Sequence, residues 1–77
     1  MAKVKLTLND IASILGVDVS VVNRHMAGSE IHLEKEGGEV YVTVGRFRGI
    51  INLLRFYGFY LLADVIEDRL ESFLASQ

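Results

Sequence analysis

Val19, Ser20, Asn23 and Arg24 could do chemistry together. Positions 19 and 23, and 20 and 24, are i,i+4 pairs, so all four share one side of a helix. Together they offer an amide, a guanidinium and a hydroxyl for hydrogen bonding beside an apolar Val. The plain alternative is a solvated helix face, and for Val19 packing against the sheet or a partner protein. Thr7, with the backbone N–H groups that open the preceding helix, is a further candidate for a phosphate contact. Arg46 and Arg48, at the start of a later helix, fit phosphate contacts and equally well ordinary exposed charges or partners for acids.

Other chemistry is thinly represented. His25 and His32 are the only imidazoles and there is no Cys. No Ser is placed near a His and an orienting acid in a recognisable motif. Gly45-Arg-Phe-Arg-Gly49 lacks the pattern of a phosphate loop. His32, Glu34 and Glu36 fall on one side of a regular strand and read as a solvated face rather than a metal site. Asp64, Glu67, Asp68 and Glu71 form an acidic helix face without the Glu-x-x-His pairing that metals use. It reads as solvated or as a contact for a basic partner. The expectation is a non-enzymatic chain without cofactor, metal or small-molecule ligand.

The elements that hold the four side chains can be traced from local signals. Val4, Leu6 and Leu8 alternate with polar residues as in a short strand. Thr7 and Asp10 have capping-box spacing, which starts a helix from about Leu8 to Leu15. Gly16 ends it, and Asp18 is a good N-cap for a second helix from Val19 to about Met26, with Gly28 placed to stop it. Ala12 permits close helix crossing, while Leu15, Val17 and Val22 fill the small core between the two helices.

The segment Thr7–Met26, TLNDIASILGVDVSVVNRHM, resembles the helix-turn-helix of lac-repressor-type regulators and of the wider group with excisionase-like and phage regulators. The likeness covers 20 of 77 residues. It implies a second helix laid in the major groove of duplex DNA, with Val19, Ser20, Asn23 and Arg24 toward the bases. Where the family usually has an apolar residue, this chain has His25.

Beyond the helix pair the period changes. Ile31–Glu34 and Val40–Val44 alternate around Lys35-Glu36-Gly37-Gly38-Glu39, the pattern of a β-hairpin. It stands where a wing would follow a reading helix. Its tip carries Glu34, Glu36 and Glu39 against Lys35, so phosphates would repel it and a sheet or protein contact is expected. With the N-terminal strand it can complete a three-stranded sheet. From Arg46 to Ser76 the pattern is helical, either one bent helix or two meeting near Gly58.

The first part of that region is apolar nearly all round and needs cover on every side. Ile50, Ile51, Leu54, Phe56, Tyr57, Phe59, Leu61 and Leu62 are therefore expected to bury one another in a homodimer or higher homo-oligomer. A membrane span is not expected, since Asn52, Arg55, Gly58 and Asp64 interrupt the run.

A chain of 77 residues has room for one domain. It divides into the strand and helix pair (1–28), the hairpin (30–45) and the C-terminal helical segment (46–76). Formal net charge is −2, poor for a phosphate binder, yet unevenly placed. Residues 1–55 hold seven Lys or Arg against six Asp or Glu, and 56–77 hold one against four. The N-terminus has no signal-peptide pattern, so a cytoplasmic protein is expected. The fold expected is a small α+β, winged helix-turn-helix-like domain. The function expected is sequence-specific regulation on double-stranded DNA as a dimer. The alternative is a protein-interaction module using the same fold without DNA.

Overall fold

Alternation at the N-terminus yields strand β1, Lys5–Thr7, with Leu6 fully buried between half-buried neighbours. The computed structural model describes residues 4–27, 34–37 and 39–77. Thr7 closes the strand and opens helix α1, Leu8–Leu15. Its hydroxyl accepts the Asp10 N–H at 3.1 Å, and the Asp10 carboxylate accepts the Thr7 N–H at 2.9 Å. This reciprocal pair satisfies donors that a helix start otherwise leaves unmade.

Helix α1 buries Ile11, Ala12 and Ile14, then stops at Gly16 with φ +71°. The N–H groups of Gly16 and Val17 both donate to the Ala12 carbonyl, the left-handed ending that glycine adopts without steric penalty. The Asp18 carboxylate accepts the Ser20 N–H at 2.8 Å and fixes the start of helix α2, Val19–Ala27. Val22 is the buried residue of α2. Gly28, the expected stop, lies outside the described residues.

Strands β2, Glu34–Glu36, and β3, Glu39–Thr43, pair antiparallel across a turn with Gly37 at φ +59°. β1 joins the other edge of β3, giving the order β1-β3-β2. Leu6 lies opposite Val42 and both are buried. On the other face the Lys5 ammonium sits 4.8 Å from the centre of the Tyr41 ring, a cation–π contact. A hairpin is present as expected, but Lys35, Glu36 and Glu39 belong to its strands rather than to its turn, while Ile31, His32 and Leu33 lie outside the described residues.

Helix α3 spans Val44–Phe56 and helix α4 Tyr60–Ala75. α3 starts two residues before the predicted Arg46 because the Thr43 hydroxyl caps it, accepting the Arg46 N–H at 3.1 Å. The two helices are separate, with Gly58 between them at φ +90°. α4 packs back on α3 and α1. Leu6, Val42, Ile51 and Leu70, from four different elements, are the largest fully buried side chains of the one core. The architecture is α+β. No helix among the described residues is long and apolar enough to cross a membrane.

Candidate nucleic-acid interface

Helix α2 is held by one side and free on the other. Val22 is sealed against the core and Val21 is half-buried, whereas Val19, Ser20, Asn23 and Arg24 are all exposed. Ser20 and Arg24 lie opposite position 22 on the helix and Asn23 to one side, whereas Val19, one turn before Val22, borders the buried side and is 38% exposed. The elbow at Gly16 then decides that the free side points away from α1. His25 is exposed too and borders an apolar groove of about 320 Å³ behind the helix. Leu15, Val17 and Val21 line one wall of that groove, and Ile50 and Leu54 line the other.

The charged residues sort into two groups. Arg24 and Arg46 are exposed, and neither pairs with a carboxylate among the described residues. Arg48 and Arg55 are committed inside the subunit. Arg48 pairs with Glu71. Arg55 meets Asp64 at 2.9 Å and Glu67 at 3.0 Å, and these bonds, Glu67 first, hold its guanidinium more firmly protonated than usual.

This arrangement bears on readings the sequence left open. Arg48 is a partner for an acid on α4 rather than a free cation beside Arg46. Much of the acidic face formed by Asp64, Glu67 and Glu71 meets arginines of its own chain, not only solvent or a foreign basic surface. Thr7 caps α1 as its spacing predicts; its oxygen accepts the Asp10 N–H, and its own O–H remains a donor. The physical reason is common to Arg48 and the acidic face. Folding α4 back onto α3 sets acids beside bases that are 9 to 23 residues apart in sequence.

The expected oligomerisation residues also divide. Ile51 is 1% exposed and belongs to the subunit's own core, so it is unavailable to a partner. Ile50 and Leu54 are half-buried in the groove wall. Phe56, Tyr57, Phe59, Leu61 and Leu62 are exposed, and Leu53, Tyr60 and Val65 are exposed with them. Those last three belong to the same apolar run of the sequence.

A contact that no local pattern announced is that of Arg69 with the turn. Its guanidinium reaches from α4 to Gly16, just beyond the carbonyl end of α1. α1 has no basic residue in its own last turn. Arg69 thus supplies from another helix the positive charge that a helix C-terminus favours.

The hairpin's backbone completes the sheet through β1, the sheet contact expected of it. Among the described residues no three His, Asp or Glu gather as a metal site would need. No family model, curated protein or solved structure matches this chain.

Proposed function

We propose that the chain is a sequence-specific DNA-binding regulator that reads the major groove with α2 as a winged helix-turn-helix homodimer. One observation carries the reading. Val19, Ser20, Asn23 and Arg24 stand together in solvent on a helix that is sealed to the core at Val22. Asn23 would pair adenine and Arg24 guanine, Ser20 would exchange hydrogen bonds with a neighbouring edge, and Val19 would meet a thymine methyl. Arg46, exposed and paired with no carboxylate among the described residues, would meet phosphate. A role on DNA also keeps the protein where the chromosome is, in keeping with the cytoplasmic expectation. The operators of such a dimer are pseudopalindromes whose half-sites lie about 34 Å apart.

The test is a fluorescence-anisotropy titration of labelled duplexes from the gene's own neighbourhood, at low and moderate salt. Selective binding that Arg24→Ala weakens is the expected result. Failure to bind any duplex at low salt would overturn the proposal. It would favour the second reading, a protein-interaction module, which the exposed aromatic residues around Gly58 support.

A further inference from the structure

We infer that the corner joining α3 to α4 is the face on which a second copy of this chain docks, through Phe56, Tyr57, Tyr60 and Leu61 at its centre. This rests on the dimeric reading above and assigns the interface within it. The four aromatics Phe56, Tyr57, Phe59 and Tyr60 leave between 57% and 81% of their surface in solvent. At about 200 Å² for each aromatic side chain, that is roughly 500 Å². The largest apolar patch on an ordinary monomer is about 300–600 Å². Leu53, Leu61, Leu62 and Val65, 42–79% exposed, carry the face to the order of 800 Å², which is what one partner contributes to a standard stable interface.

The corner is also held ready. The N–H groups of Tyr57, Gly58 and Phe59 donate to the carbonyls of Leu53, Arg55 and Leu54 at 3.1, 2.9 and 2.9 Å. Arg55 ties the two helices together from the side through Asp64 and Glu67. Phe56 and Tyr57 pack edge to face with ring centres 5.5 Å apart. Side chains fixed in this way lose little freedom on association.

Charge selects the occupant. The ionised groups at the rim, Arg55 with Asp64 and Glu67, are engaged with one another. Two identical faces can therefore meet without a strong like-charge penalty. Among the described residues the rim shows no cluster of free bases for anionic lipid headgroups. A self-complementary apolar face fits a second copy related by a two-fold axis.

Sedimentation equilibrium of the full chain without DNA tests this. The wild type is expected to be dimeric at low micromolar concentration. Phe56→Asp and Leu61→Asp are expected to weaken association about a hundred-fold or more. Both positions are about four-fifths exposed, so the helical circular dichroism of the variants should match the wild type. Val4→Asp, at the other end of α3 and also exposed, should leave association unchanged. A wild type that dimerises while both corner variants dimerise equally well would overturn this interface and leave the dimeric reading standing. A wild type that stays monomeric at the highest attainable concentration would overturn both. A dimer that the corner variants dissociate but that binds no duplex would support the interface and remove the DNA reading alone.

Discussion

The guanidinium Nη1 of Arg69 lies 2.9 Å from the point where a β-carbon on Gly16 would stand. The last helix therefore rests on the elbow between α1 and α2, and Gly16 is constrained twice. Its backbone is left-handed at φ +71°, and its open side is occupied by Arg69. The guanidinium is the far end of a flexible side chain and can move aside, whereas the backbone conformation cannot relax without turning α2.

Gly16→Ala should accordingly destabilise the fold mainly through backbone strain, by about 1–2 kcal/mol. For a domain of this size that lowers Tm by roughly 5–15 °C, readable by thermal unfolding. Adding Arg69→Ala to that variant should recover little. Full recovery would show that the steric contact with Arg69, not the left-handed backbone, sets the cost.

Ile51 and Leu61 are both apolar residues of the C-terminal region with opposite fates. Ile51→Ala empties a site in the core and should cost about 2–5 kcal/mol in denaturant unfolding. Leu61→Ala removes a side chain that the subunit itself leaves 79% exposed, so the stability of the monomer should change by no more than about 0.5 kcal/mol. Equal losses for the two variants in a chain kept monomeric by Phe56→Asp would contradict this division.

Hydrogen bonds from the Ser20 side chain and then its backbone N–H hold the Asp18 carboxyl below the usual carboxylate range. A folded pKa below the unfolded one means that the unfolded chain binds more protons on the acid side. The stabilisation is therefore complete above the unfolded value of about 3.9 and is lost as pH falls through the folded value. Asn also caps helices well, so Asp18→Asn should leave stability near neutral pH little changed and flatten the acid limb. Unfolding measured from neutral to strongly acidic pH would show it; parallel acid limbs in both proteins would count against the Asp18 contribution.

With Arg46 of each copy on one phosphate, the proposed dimer neutralises two. The logarithm of affinity should then fall against the logarithm of salt with a slope of about −2. Arg46→Ala should reduce that slope by about two units, having removed one phosphate contact from each copy. Arg48→Ala, whose partner is Glu71, should leave the slope unchanged and alter stability by about 0–1 kcal/mol. A large change in slope from Arg48→Ala with none from Arg46→Ala would reverse the roles assigned to the two.

What the sequence determined by itself is the set of features fixed within a few residues. The Thr7–Asp10 capping box, the stop at Gly16, the cap at Asp18, the turn at Gly37 and the break at Gly58 each depend on backbone dihedrals and hydrogen bonds spanning at most a handful of positions. The bounds of α1 and the exposed face of α2 follow from them and from helical periodicity. Only the tertiary structure decided what α4 meets when it folds back. That return buries Ile51 while leaving Phe56 and Leu61 in solvent, joins Arg48 and Arg55 to acids far along the chain, and sets Arg69 on Gly16. Periodicity marks residues as apolar or charged, but an α3 apolar on most sides carries no local signal of which side its own chain will cover. Long-range packing makes that choice, because burial and ion pairing depend on which surfaces the fold brings together.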